Sequence, residues 1–526
     1  MTLSYPPREL WPDRPCLLPE LLYPEKLNAC YELLDRHIAE GRGDSPAIYF
    51  NDEIFTYREV LAKVVRVTAA LHNGGIERGD RVLLRLFNRP HFIFTWLAVL
   101  RVGGVVVATA PALKHRELNA IIDSAQPKLI VSEPELWSEV EQLKQPDLAV
   151  DYVNWVKAND AIDDRFPDAP VPMSRDELAI IAYTSGSTGM PKGCMHSHSD
   201  LLAVCDTYAR HVLQPTVQDR FGGHPTMAFV YGLGGLLLFP FRVGASTVLL
   251  DKFTPEALAE TIRRYRITIA FCAPTSLRMM IKSCSGLREA VKSLRCAVTA
   301  GETLPASVYQ NWRETTGVEP LDGIGATETL HMFIASAPGH SRPGATGEVV
   351  PGYEAIVVDE KTLQPVVDGQ SGLLAVRGPT GCRYLDLCDR QTQYVRNGWN
   401  IPGDIYVRDT DGFFHYQCRN DDLIISGGIN IAGPEIEGVL LEHPSVSEVA
   451  VVASPDSIRG MVPKAFIVLR AGFAPGDDLK QELQKKVQAD LASYKCPRKI
   501  DFVNELPKTS TGKIRRTELR KAEFAS

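Results

Sequence analysis

The sequence predicts an α/β protein: a large N-terminal domain with mostly parallel sheets flanked by helices, followed by a small α+β C-terminal domain. Two observations predict this. Short apolar runs alternate with amphipathic helical stretches over most of the chain. Near the C-terminus the pattern changes to two strand-like runs, one amphipathic helix and a basic tail. The length, 526 residues, has room for about three domains' worth of chain with large cores.

Taken in order, 81–87 (RVLLRLF), 104–109 (GVVVAT), 128–131 (KLIV) and 178–184 (LAIIAYT) read as buried strands. A helical pattern over 57–71 precedes the first of them and one over 90–102 separates it from the second, the alternation a parallel sheet requires. Residues 294–298 predict a further strand. In the C-terminal part, 446–454 and 465–469 read as strands. The pattern over 477–491 puts Leu479, Leu483, Val487 and Leu491 on one helical face. The smaller domain is expected to begin near residue 420.

Composition excludes several classes. Apolar residues make 44% and charged residues 23%, as in ordinary globular proteins, which argues against disorder and coiled coil. A net charge of -7 carries no footprint for nucleic acid or an anionic membrane. The richest apolar stretch, 233–241, is too short to span a bilayer and contains Pro240. The N-terminal residues lack the basic start and apolar block of a secretory signal. Eleven scattered cysteines with no C-x-x-C predict free thiols in a reducing, cytoplasmic setting.

The most informative segment is Thr184-Ser185-Gly186-Ser187-Thr188-Gly189-Met190-Pro191-Lys192-Gly193, directly after a strand. Glycines let the backbone turn and present consecutive N–H groups; hydroxyls and one lysine add donors. This is a phosphate cradle in chemical terms, and it is not a Walker A loop, because no Gly-Lys-[Ser/Thr] closes it. Four further motifs follow: Gly325-Ala326-Thr327-Glu328, Pro402-Gly403-Asp404, Arg419-Asn420-Asp421-Asp422 and Pro507-Lys508-Thr509-Ser510-Thr511-Gly512-Lys513. In this order and spacing they resemble the signature motifs of the adenylate-forming superfamily, which includes acyl- and aryl-CoA synthetases, luciferases and carrier-protein adenylation domains. The resemblance covers essentially the whole chain.

The resemblance implies an ATP- and acid-binding domain over 1–420 and a mobile domain over 421–526, hinged at Asp421. It implies catalytic roles for Lys192, Thr327, Glu328 and Lys513. Glu328 is a hard oxygen ligand suited to Mg²⁺, and Thr327 offers a hydroxyl to a phosphate. Asp404 can accept from both ribose hydroxyls, with Arg419 in support. Gly301, Glu302 and Thr303 resemble the adenine-side loop, and Asp322, Gly323 and Ile324 complete that side, Asp322 as acceptor for an exocyclic amine. A dinucleotide loop at Gly323-Ile324-Gly325 fails for want of its third glycine.

Phe229, Val230, Tyr231 and Gly232 fall where the family places an acyl-pocket wall; Gly325, His331 and Phe333 fall on the opposite side. These segments look most like benzoate and 2-aminobenzoate CoA ligases. Tyr231 and Phe333 are expected as flat apolar walls and His331 as a polar handle. Ser426, Gly427 and Gly428 resemble the strand lining the pantetheine path. No carrier-like domain follows the last motif, so free CoA is the expected acceptor. Two departures stand out: Pro402 replaces the usual Thr, and Cys496 follows Tyr494-Lys495 where some relatives carry Arg.

The expected activity is therefore ATP-dependent CoA ligation of a small aromatic acid, first 2-aminobenzoate, then benzoate or a hydroxybenzoate, with ATP, Mg²⁺ and CoA. A stand-alone adenylation enzyme loading a carrier protein, and a non-catalytic nucleotide sensor, are the alternatives. A homodimer is compatible with the sequence, which does not give the oligomeric state. His196 and His198, two apart after the cradle, have no cysteine or carboxylate cluster to complete a metal site. His198 is expected to pack at the start of a helix running to about His211.

Overall fold

The computed structural model describes residues 5–159, 169–184, 191–426, 429–456, 459–509 and 513–525. Four sheets organise them. The first runs in the order Ala149–Asp151, Leu129–Ser132, Arg81–Arg85, Val105–Ala108, Leu178–Thr184, Lys192–Ser197. It is parallel except for its last pair, where Lys192–Ser197 returns antiparallel to Leu178–Thr184. The second has nine strands and a parallel centre built from Cys296–Thr299, Ile269–Cys272, Arg220–Gly223 and Ser246–Leu249. Helices cover these sheets. Helix Tyr57–Asn73 starts at a capping box in which the Thr56 side chain accepts from the Glu59 amide and Glu59 from the Thr56 amide. Helix Pro90–Arg101 is apolar around nearly its whole circumference, and all but His91 of its residues are buried.

The expected strands and helices are present, with ends shifted by a few residues. Two features differ from the sequence reading. Residues 354–419 form a third sheet that is wholly antiparallel, joining Glu354–Val358, Ser371–Arg377, Asp404–Arg408 and Phe414–Arg419 with two short strands. The expected helix from His198 changes character: His198–Val204 is α-helical and Cys205–Leu213 is π-helical. A second π-helical segment, Gly234–Leu238, follows the turn Val230–Leu233. Such insertions recur at functional sites because they rotate side chains off the regular helical spacing.

The C-terminal part is a separate sheet with its own core. Strands Val446–Asp456 and Gly460–Leu469 form its long hairpin, flanked by Ile424–Ser426 and, in parallel, Lys499–Phe502. Helix Asp477–Asp490 buries Leu483 and Val487 against it. No described helix is long and apolar enough to cross a membrane.

One buried polar network ties the first sheet to distant chain. Asp200 is fully buried and accepts from Arg14 through one oxygen and from Arg383 through the other. Its second oxygen also accepts from the Ser197 amide, capping the helix. Burial raises the Asp200 pKa, and the two guanidiniums outweigh it, holding the carboxyl far below the usual carboxylate range.

Candidate active site

The turn Thr327–Thr329 lies against both Leu178–Thr184 and Lys192–Ser197, so it stands where the two parallel sheets meet. Thr184 ends its strand in register with Lys192, which opens the next. Both are half-buried. Ser185, Gly186, Ser187, Thr188 and Gly189 of the expected cradle, and Gly427 and Gly428 of the expected CoA path, lie outside the described residues. Ser426 is buried in strand Ile424–Ser426.

Glu328 accepts a short hydrogen bond from the Tyr384 hydroxyl, and the Thr327 carbonyl lies 2.8 Å from His196 Nε2. Burial, with Glu328 nearby, pushes the thiols of Cys194 and Cys382 well above their ordinary range, so both stay protonated and inert. Among the described residues no cluster of three or more His, Cys, Asp or Glu side chains could cage a metal. A Mg²⁺ carried mainly by substrate phosphates needs only one or two carboxylates, and Glu328 fits that requirement.

Among the residues expected to hold the nucleoside, Asp322 is buried in strand Pro320–Gly325 and its Oδ1 accepts from Thr299 Oγ1 at 3.0 Å. Burial pushes its carboxyl up to about 7, against the hydrogen bonds of Thr299 and of the Gly323 and Leu304 amides. A folded pKa above the unfolded value near 4 means the stabilising form is the acid. Relative to Asp322→Asn, the parent should lose stability as pH rises from about 4 to about 7 and then stay level. Denaturant midpoints of the two proteins across that range check it; a flat difference would show that Asp322 ionises freely in the folded state.

Gly301 has φ +86°, a conformation that suits glycine, and Glu302 beside it accepts from Thr275 Oγ1 at 2.8 Å. Thr303 is exposed on the same loop. Gly323 is buried and Ile324 half-buried; a Cβ on Gly325 would meet the His331 carbonyl at 2.5 Å, so this strand closes tightly on the following turn.

Asp404 and Arg419 stand opposite each other across neighbouring strands, with Arg419 donating to Asp404 Oδ2 at 3.0 Å. Burial raises the Asp404 pKa, opposed by Arg419 and then by Lys513. Lys513 reaches this place from the C-terminal domain: a Cβ on Gly301 would lie 3.7 Å from Lys513 Cε. Its backbone is held by Thr509, whose amide donates to the Lys513 carbonyl at 2.8 Å and whose Oγ1 accepts from the Lys513 amide at 3.1 Å. Lys513 keeps exposed surface, yet the protein around its ammonium lowers its pKa; Glu302 and Asp404 oppose the drop and Arg419 adds to it. Asp421 is exposed in the turn Asn420–Asp422, next to the ion pair Asp422–Arg520.

The acid-pocket candidates form an aromatic box. Phe229, Val230 and Tyr231 are half-buried, and a Cβ on Gly232 would strike the Thr226 carbonyl at 2.2 Å. The Tyr231 hydroxyl lies 3.0 and 2.9 Å from the Cys272 and Val298 carbonyls, which pins the ring. His331 is 2% exposed, among Tyr208, Tyr231, Phe239 and Phe271 at ring distances of 5.2, 6.0, 4.6 and 6.5 Å. Among the described residues no side chain hydrogen-bonds either ring nitrogen, and the Tyr231 backbone is the one polar group close enough to act on the ring. Burial lowers its pKa to about 3, opposed by the nearby Tyr231 backbone, so the ring is neutral. Phe333 differs from expectation: it is fully buried in strand Met332–Ala335, packed in the main core, and presents no open wall.

Four residues missed by motif reading stand in this site: Tyr208, Phe239, Phe271 and Tyr384. None belongs to a signature motif, and only the structure brings them to Glu328 and His331. His196 had been noted only for its spacing to His198. His198 indeed packs internally, its Nδ1 accepting from the Ala29 amide at 3.2 Å.

Comparison with known proteins gives the family of the chain. Residues 35–384 match the family of AMP-binding enzymes, and 435–513 match the AMP-binding enzyme C-terminal domain. The chain is 35% identical to the benzoate–CoA ligase of Thauera aromatica, over 96% of this chain and 98% of that protein. The structure of the anthranilate CoA ligase AuaEII in complex with anthranoyl-AMP aligns with TM-score 0.89 at 31% identity, over 95% of this chain and 98% of that one. A benzoate CoA ligase from Burkholderia xenovorans LB400 aligns with TM-score 0.84 at 30% identity, over 94% of this chain and all (100%) of that one. With both domains matched and the fold shared, the chain belongs to the AMP-binding enzymes, the adenylate-forming superfamily its five motifs resemble.

Proposed function

We propose that the protein is an ATP-dependent, AMP-forming ligase that joins a small aromatic carboxylic acid to CoA. The acid's carboxylate attacks the α-phosphorus of ATP, giving an acyl-adenylate and pyrophosphate. The CoA thiol then attacks the acyl carbon, forming the thioester and releasing AMP. Relatives named for benzoate and anthranilate support the acid class.

The residues divide the work. Asp322 and the loop Gly301–Thr303 take the adenine, and Asp404 with Arg419 takes the ribose. Lys192 and the glycine-rich segment before it take the phosphates. Mg²⁺, when bound with ATP, neutralises phosphate charge, and Glu328 is the side chain to hold it. Lys513 places a point charge between the acid's carboxylate and the α-phosphate. Asp421 is the pivot about which the C-terminal domain turns for the second step, with Ser426–Gly428 along the thiol's path.

The observation that carries the substrate assignment is the neutral imidazole of His331, which no described side chain partners, amid a cluster of aromatic rings. A buried polar group left unpaired costs about 1–3 kcal/mol, so an acid bearing a small polar ring substituent gains by pairing with it. 2-Aminobenzoate is the first choice, benzoate or a hydroxybenzoate the next. Pyrophosphate release across a panel of acids, followed by AMP release with and without CoA, tests the activity. Pyrophosphate release with no CoA-dependent AMP release would point to carrier loading instead. His331→Ala should lower kcat/KM for 2-aminobenzoate by about 10- to 100-fold while benzoate falls much less. Equal losses for both acids would return His331 to a packing role.

A further inference from the structure

We propose that His196 and Tyr384 are positioning residues that aim Glu328 at the triphosphate end of ATP; this rests on the ligase reading above. Strand Lys192–Ser197 is paired on its second edge with residues 383–385: the Met195 amide donates to the Arg383 carbonyl at 2.8 Å, and the Leu385 amide to the Gly193 carbonyl at 2.9 Å. Cys194 stands directly opposite Tyr384. Opposed residues share a face, and so do alternate residues of one strand. One face of this ladder therefore carries Lys192, Cys194, His196 and Tyr384, and the turn Thr327–Thr329 packs on it.

Two hydrogen bonds cross from that face to the turn. A carbonyl only accepts, so the bond to Thr327 fixes a proton on His196 Nε2. The other nitrogen, Nδ1, stands 3.7 Å from the buried Asp200 carboxylate. Tyr384 donates to Glu328 Oε1, leaving Oε2 for a ligand. Tyr384 is itself braced: its amide donates to Gln391 Oε1 at 2.9 Å, and Gln391 Nε2 donates to the Cys382 and Leu10 carbonyls, each at 2.9 Å. The turn needs such support, because Leu330 after it has φ +68° and ψ -35°, a conformation that costs a non-glycine residue about 1–3 kcal/mol. His196 thus holds the backbone and Tyr384 the side chain, so Glu328 meets its ligand already ordered and binding loses less freedom.

The site for adenine and ribose does not involve this ladder, which separates the outcomes. Calorimetric titrations with Mg·ATP, without acid and so without turnover, are compared with titrations of AMP, which lacks the β- and γ-phosphates. Tyr384→Phe and His196→Ala should each weaken Mg·ATP about tenfold while AMP affinity stays within about twofold. His196→Gln, whose amide can donate from nearly the same point as Nε2, should restore most of the Mg·ATP affinity. Unchanged Mg·ATP binding in Tyr384→Phe, equal loss of both nucleotides, or no rescue by Gln would each overturn the proposal. A parent protein that binds neither nucleotide would instead overturn the ligase reading, and this proposal with it.

Discussion

Lys513→Ala slows adenylate formation by a factor on the order of 10²–10³, while conversion of supplied acyl-adenylate and CoA to thioester changes little. The ammonium stands with Glu302, Asp404 and Arg419, the last two proposed to hold the ribose, beside the loop at Gly301. A cation there can bridge the acid's carboxylate and the α-phosphate as charge develops on their oxygens. Lys513 belongs to the C-terminal part of the chain, which has a core of its own. Arg515, two residues on, is exposed and paired with Glu518. Arg515→Ala is the control: if it reproduced Lys513→Ala, or if both half-reactions fell together, the effect would belong to tail charge in general. Stopped-flow pyrophosphate release and a separate thioester assay give the two rates.

Asp200→Ala has the largest expected effect on stability, a loss of about 3–5 kcal/mol, because removing one partner leaves buried charge uncompensated. Arg383 has 4% of its side chain exposed and Arg14 25%, so without the carboxylate two guanidiniums face each other in the interior. The Ser197 cap is lost as well. The sign with pH follows from the depressed carboxyl. Its contribution is present above the unfolded pKa near 4 and is lost as pH falls through the folded value, so the parent's advantage over the variant should shrink in acid. Urea unfolding at pH 7 and at about pH 2 measures both. A loss below about 1 kcal/mol at pH 7 would mean that the arginines find water when the carboxylate goes.

The doubly wound sheets and the five motifs were legible because their signals are local. A buried parallel strand is a continuous apolar run, and a phosphate loop concentrates glycine and hydroxyls within ten residues. The antiparallel third sheet was not legible, because its strands carry charges such as Arg377, Arg408 and Arg419 among apolar residues. Tyr384 was invisible for another reason. Its partner Glu328 lies 56 residues away, and nothing around a lone tyrosine says which carboxylate it will meet. Phe333 was read as a wall because aromatic character is visible in sequence and depth is not; strand alternation turns it into the core. The π-helical segments escaped because one extra residue in a helix leaves the apolar pattern almost unchanged over so short a span.

The pairing of Asp404 with Arg419 has a mechanical consequence. Arg419 is the last residue of its strand, and the Asn420 amide donates at 2.8 Å to the carbonyl of Gly403, the residue before Asp404. The two side chains proposed to grip the sugar and the first residue of the turn at Asp421 thus form one small closed ring of backbone and side chain. A domain rotating about that turn has its axle beside the nucleotide, with a lever arm a single residue long. Points far from an axle sweep wide arcs and points near it scarcely travel. On the hinge proposed at Asp421, Lys513 is carried by the moving domain and Asp404 is not, so the lysine would leave while the ribose grip stays beside the axle and keeps the adenylate anchored.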